Sequence, residues 1–212
     1  MYLSRLQLNP TSRTLWRNVI DQPYRLHQLV MQGFPDGVRR EDANVLHRLD
    51  QAYNQVMLLV QSDLKPAWDG LQDDLLLPTD TFDPYPNPAV REMDGLDLAN
   101  GRIYTFRLRA NPIKRLSSGK GNKPGPRVQL VHEDAQMEWL QRKAEQSGFR
   151  LLDAHINPEG KQTDYYKKLT IYTMLVNGRL QITDAAKFQT AVQTGIGPAK
   201  AFGCGLLSLA PG

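Results

Sequence analysis

Residues 102–110 read RIYTFRLRA. Tyr104, Phe106, Leu108 and Ala110 alternate with Thr105, Arg107 and Arg109, the two-residue period of a strand with one face in a core. Asn111-Pro112 ends the strand, and KRLSSGKGNKPGPR (114–127) reads as a loop. Residues 134–146 place Ala135, Met137, Trp139, Leu140 and Ala144 along a helix that Gly148 stops. Two more strands are expected over 149–156 and 168–176, then a helix over 184–193 with Asp184 as N-cap, and a last strand over 201–209. The order β-α-β-β-α-β is that of a ferredoxin-like domain.

The first half carries the same plan. MYLSRLQL (1–8) alternates as a half-buried strand, and Asn9-Pro10-Thr11-Ser12 turns, with Thr11 or Ser12 capping a helix from about Arg13. Pro23 interrupts that helix or opens a second one. Over 24–31, three- and four-residue spacing sets Tyr24, His27 and Gln28 on one face, and Gly33, Pro35 and Gly37 end the segment. Residues 44–50 and 55–61 read as paired strands, and a short helix is expected near 67–72. LLLPTDTFDPYPNP (75–88) is expected to carry a final strand into a linker, its four prolines excluding helix. The fold expected is α+β: tandem ferredoxin-like (RRM-like) domains over 1–95 and 96–212, with no literal sequence repeat between them.

Composition narrows the function. No apolar run approaches the roughly 20 residues of a membrane span, and the N-terminus lacks the pattern of a secretory signal, so a cytoplasmic protein without a membrane partner is expected. Cys204 is the one cysteine, which excludes an internal disulfide framework. The histidines at 27, 47, 132 and 155 lack metal-ligand spacing, so no metal or other cofactor is expected. Residues 1–95 hold 9 Lys+Arg against 13 Asp+Glu, whereas 96–212 hold 17 against 9. A C-terminal half this basic suits a polyanion, because neutralising phosphates releases counterions. The competing reading is a solvated basic face.

Several constellations could carry chemistry. Tyr24 and His27, three apart on one helical turn, could present two groups to one phosphate. RNA brings its own nucleophile, the 2′-hydroxyl, and its cleavage needs a base, an acid and a cation. Arg107 and Arg109 share a strand face, and Lys114, Arg115, Lys120, Lys123 and Arg127 extend them into a cationic stripe. Lys167 and Lys168 follow two tyrosines at a turn that could enter an RNA groove. Gly195, Gly197, Gly203 and Gly205 bracket Lys200, a spacing that would let backbone amides approach a polyanion. That run is neither a Walker loop nor a dinucleotide fingerprint. The other three histidines, and Cys204 between its glycines, read as structural.

Taken together, MYLSRLQL, YRLHQLVMQGFP, YTFRLRANPIK, the helix with EWLQRK and the ending GIGPAKAFGCGLLSLAPG resemble the CasE-type CRISPR repeat endoribonucleases of type I-E systems. The resemblance implies tandem ferredoxin-like domains and metal-independent cutting of CRISPR repeat RNA at the base of its stem-loop. It implies His27 as general acid or base with Tyr24 beside it, and products ending in a 5′-hydroxyl and a 2′,3′-cyclic phosphate or 3′-phosphate. It further implies retention of the mature crRNA and assembly with other subunits of a surveillance complex. Met31 and Gln32 stand where some relatives carry assisting lysines, which leaves Lys200 or the Arg107/Arg109 strand to supply transition-state charge. The alternative is a subunit that binds the RNA hairpin without cutting it. A small-molecule phosphotransferase using the glycine-rich run is disfavoured, since no acidic residues stand near it to hold magnesium.

Overall fold

The computed structural model describes residues 1–212 except 21, 73, 80–83, 117–124 and 166, and Asn18 by its backbone alone. The chain forms two compact units. The first comprises Met1–Leu96, Asp164–Leu169 and Lys200–Leu206; the second comprises Asp97–Thr163, Thr170–Ala199 and Leu207–Gly212.

In the first unit β1 (Tyr2–Leu8) lies between β3 (Gln55–Ser62) and β4 (Ala89–Glu92), and β2 (Leu46–Ala52) pairs with the far side of β3. The order β2-β3-β1-β4 is the antiparallel order of a ferredoxin-like sheet. Alternation in the sequence becomes alternation in burial. Leu6 and Leu8 of β1 and Val56, Leu58 and Val60 of β3 face a core shared with Leu26, Leu29 and Val30 of α2 (Pro23–Met31). Each such side chain contributes about 1.5–3 kcal/mol on burial. Ser12 caps α1 (Arg13–Leu15) by accepting from the Leu15 amide at 3.1 Å, and a five-residue π-helical turn, Trp16–Ile20, continues it. Pro23 then opens α2.

Two expectations here are corrected. No helix forms over 67–72. Trp68 is instead drawn into the core, its indole N–H donating to Ser4 Oγ at 3.1 Å and its ring edge-on to Phe34. Leu71 is buried with it across a tight turn, its amide donating to the Trp68 carbonyl at 3.2 Å, and Pro66 and Gly70 are both poor helix formers. Nor do residues 75–88 hold the final strand: among those described, only Leu76 makes an isolated bridge, to Leu8, and the strand begins beyond the prolines at Ala89. Prolines lack the ladder donor. The side chain of Asn87 fills the gap, accepting from the Gln7 amide (2.8 Å) and donating to the carbonyls of Gln7 (2.8 Å) and Leu77 (2.7 Å).

In the second unit the sheet order is β10-β5-β9-β8, with β5 (Ile103–Ala110) between β9 (Leu169–Ile182) and β10 (Leu207–Pro211). Within this sheet's own sequence order that is again the ferredoxin-like arrangement. Helices α3 (Glu133–Gln146) and α4 (Ala185–Thr194) bury Trp139, Leu140, Phe188 and Val192, and Phe149 packs edge-on against Phe188 at 5.6 Å. Asp184 caps α4 through the Lys187 amide at 3.1 Å. The hairpin of β8 (Phe149–Asp164) and β9 runs well past the two short strands expected, because β8 is an edge strand that accommodates Pro158. Part of the expected 114–127 loop is a two-stranded ribbon, β6 (Ile113–Arg115) with β7 (Arg127–Gln129). The last strand starts later than 201: Lys200–Phe202 is a 3₁₀ turn, and the positive φ of Gly203 (79°) and Gly205 (94°) is incompatible with a strand. Among the described residues no helix is long and apolar enough to cross a membrane.

Candidate active site

Helix α2 displays the Tyr24/His27 pair, and the first unit builds its surroundings. Pro23 occupies the first helical turn, where its missing N–H costs nothing. The N-cap, Gln22, provides no side-chain bond. That function is filled from residue 164, far along the chain: the Asp164 carboxylate, 2% exposed, accepts from the Tyr24 amide at 2.7 Å through Oδ2. An anion at a helix N-terminus also meets the positive end of the helix dipole. Its other oxygen, Oδ1, accepts from the Lys167 amide at 2.7 Å, so one carboxylate shapes the turn after β8 and fastens that turn to α2. Lys168 takes a left-handed conformation (φ 49°) as the chain enters β9. The exposed Lys167 lays its ammonium over the Tyr24 ring, 4.1 Å from the centroid, a cation–π contact worth about 0.5–1 kcal/mol.

His27 is half-buried, its ring 6.1 Å from that of Tyr24 and 6.3 Å from that of His47, with which it is nearly parallel. Its Nδ1 is buried and has no hydrogen-bond partner among the described residues. Burial holds the imidazole below the usual histidine range; the positive charge of Arg40 pushes the same way, and Glu41 partly opposes both. His27 is therefore mainly neutral at neutral pH, a state in which one ring nitrogen can accept a proton. The Arg40 guanidinium donates to the Val45 carbonyl (3.2 Å) and to Glu41 (3.0 Å), and its side chain is 14% exposed. His47, expected to be merely structural, is wholly buried at the start of β2 and forms the floor beneath His27.

The remaining residues singled out from the sequence divide between the two units. Lys168, Lys200, Gly203 and Gly205 belong to the first unit with Tyr24, His27 and Lys167; Arg107, Arg109, Lys114, Arg115, Arg127, Gly195 and Gly197 belong to the second. Lys120 and Lys123 lie outside the described residues. Within the cationic stripe, Arg107 is exposed and donates to Asn177 at 2.8 Å, whereas Arg109 is 8% exposed and ion-paired to Glu159 at 2.6 Å. On the ribbon, Arg115 stands directly opposite Arg127, both exposed. Like charges in that register repel unless an anion sits between them. The glycine-rich run uses some of its amides internally, Gly195 donating to Ala191 (2.8 Å) and Gly203 to Lys200 (3.3 Å). Gly197 abuts Trp139, which a side-chain carbon would approach to 3.1 Å. Asp164, Arg40 and His47, which bear on the Tyr24/His27 pair, do not stand out as candidates in the sequence. Only Asp164 carries a local signal, an acid three residues before Lys167 at a turn.

Known proteins match this arrangement over its whole length. A family model described as CRISPR associated protein matches residues 1–211. The CRISPR-associated endoribonuclease Cse3 of Thermus thermophilus is 31% identical, with all of both chains covered. The CRISPR system Cascade subunit CasE of Escherichia coli is 47% identical over 50% of this chain and 57% of that protein. A solved structure of Thermus thermophilus Cse3 bound to an RNA representing a pre-cleavage complex superposes with a TM-score of 0.79 at 30% identity, covering 99% of this chain and 98% of that one.

Proposed function

Because the chain belongs to the family of CRISPR associated proteins, we propose that it is an endoribonuclease that processes CRISPR RNA, cutting the repeat at the base of its stem-loop. The observation that carries the reading is the half-buried His27 beside Tyr24 on the first turns of α2, with the Lys167 ammonium over the Tyr24 ring. His27 takes the proton from the 2′-hydroxyl. The 2′-oxygen attacks phosphorus, a bond forms between them, and the bond from phosphorus to the 5′-oxygen breaks. The 5′-oxygen takes a proton from water as it leaves, giving a 5′-hydroxyl and a 2′,3′-cyclic phosphate, and His27 returns its own proton to solvent. Tyr24 orients the phosphodiester against the imidazole. The lowered proton affinity of His27 favours its role as the base, since the residue starts unprotonated. No metal takes part in this scheme, and cleavage is expected to continue in excess EDTA.

The basic ribbon and strand of the second unit hold the RNA. Exposed Arg107, Lys114, Arg115 and Arg127 contact phosphates, and Lys120, Lys123, Lys168, Lys200 and the Gly195–Gly205 run add to the binding surface. The name of the Escherichia coli relative, a Cascade subunit, supports a second role: the protein keeps its product and assembles with other subunits around it. Single-turnover cleavage of a repeat stem-loop by the His27→Ala variant tests the reading. The expected result is a loss of about 10²–10⁴-fold in rate with RNA affinity close to wild type. Cleavage at the wild-type rate would leave a hairpin-binding subunit whose cutting chemistry, if any, lies elsewhere.

A further inference from the structure

The chemistry just proposed leaves one requirement unassigned: a cation for the charge that gathers on the phosphorus oxygens as the fifth bond forms. In the first unit the sources include Arg40, Lys200 and Lys167. Arg40 is mostly buried and engaged by Glu41 and the Val45 carbonyl. Lys200 is half-buried in its 3₁₀ turn and has partners of its own. Lys167 is exposed, lies over the Tyr24 ring at 4.1 Å, and is one aromatic ring away from the imidazole.

What places Lys167 there is Asp164. Its carboxylate is 2% exposed, a costly location for a charge. Both oxygens are spent on backbone amides, one at the head of α2 and one on Lys167 itself, each at 2.7 Å. Bonds to an ionised acceptor are the stronger kind. The same group thus fixes Tyr24 and Lys167 relative to each other, although 140 residues separate it from Tyr24. We propose that Asp164 is a positioning residue that clamps the β8–β9 tip to the first turn of α2, and that Lys167, so held over Tyr24, is the catalytic cation that neutralises the phosphorane. Lys167 then contributes to the rate more than to RNA affinity, unlike the arginines of the ribbon. This inference rests on the cleavage reading above.

The test is single-turnover cleavage and binding of a repeat stem-loop by full-length wild type, His27→Ala, Lys167→Ala, Lys167→Arg, Asp164→Asn and the Asp164→Asn/Lys167→Ala pair. Lys167→Ala is expected to slow cleavage about 100-fold while weakening binding by no more than about tenfold, the share of one phosphate contact. Lys167→Arg restores most of the rate. Asp164→Asn slows cleavage by about tenfold or more, since a misplaced catalytic group is costly, and its effect shrinks once Lys167 is alanine, only the part that acts through Tyr24 remaining. Thermal melts of each variant separate unfolding of Asp164→Asn from misplacement, and Lys167→Ala, being an exposed change, decides the matter alone if Asp164→Asn does not fold. Wild-type rates in Lys167→Ala, or effects of the two changes that multiply, would overturn the inference. If wild type cuts, His27→Ala does not and Lys167→Ala is unaffected, the cleavage reading survives and this inference falls. If wild type itself fails to cut, both fall.

Discussion

Arg109→Met separates a strut from a phosphate contact. In the sequence Arg109 and Arg107 are equivalent, two arginines on one strand face. In the structure Arg109 Nε lies 2.6 Å from Glu159 Oε2, with the arginine side chain 10% and the glutamate 29% exposed. Removing one partner of a buried ion pair costs about 3–5 kcal/mol, because the other charge is left unpaired. Glu159 is open enough to recover part of its hydration, which reduces the expected cost to about 2–3 kcal/mol. In a chain of this length 1 kcal/mol moves Tm by about 2–4 °C, so the variant should melt about 4–12 °C lower. Adding Glu159→Gln should recover much of the loss, since no orphaned charge then remains. RNA binding should keep its salt dependence, because the Arg109 charge is already spent within the protein. Urea unfolding and binding measured across a salt series check both arms. A variant that melts like wild type but loses about one unit of salt slope would show that Arg109 serves the RNA and that the ion pair is incidental.

Three more outcomes are expected. Replacing Lys114, Arg115 and Arg127 together by alanine should flatten the slope of log K against log salt by roughly 2–3 and leave stability unharmed, because Arg115 and Arg127 face each other across the ribbon; an unchanged slope would remove the ribbon from the RNA surface. Gly33→Ala would drive a methyl into the Trp68 ring, and the displaced indole should cost about 1–3 kcal/mol in urea unfolding; a change below about 0.5 kcal/mol would contradict that packing. The cleavage rate should fall on acidification only below the usual histidine range, as His27 becomes protonated, and Arg40→Gln should move this limb to higher pH because it removes a positive charge that disfavours protonation. A limb at ordinary histidine pH that ignores Arg40→Gln would mean that another group controls the rate.

Sequence reading succeeded where the signal is local. Alternation placed β1 and β5, Pro23 marked the first turn of α2, and Asp184 marked the start of α4, since each depends on neighbours within a few residues. It erred where distant groups decide. Trp68 unmakes a short helix because Gly33, Phe34 and Ser4 leave a slot for an indole. Among the described residues of 75–88 no strand forms, since prolines lack the ladder donor, and one asparagine side chain repairs the sheet. The charge division by halves also misleads, since Lys167, Lys168 and Lys200 come from the basic half of the sequence yet belong to the first unit. For the site, Tyr24 and His27 were legible as a helical pair; His47, Arg40 and Asp164 were not, because their bearing on that pair follows from the tertiary fold.

In the chemistry proposed, the RNA's own 2′-oxygen attacks the phosphorus after His27 removes its proton. A repeat stem-loop carrying a single 2′-deoxynucleotide on the 5′ side of the cut tests this most directly, incubated with the protein in excess EDTA beside the all-ribose RNA. The all-ribose RNA should be cut to a 2′,3′-cyclic phosphate end, and the deoxy substrate should be bound with similar affinity and left intact. Cutting of the deoxy substrate at the same position would contradict it.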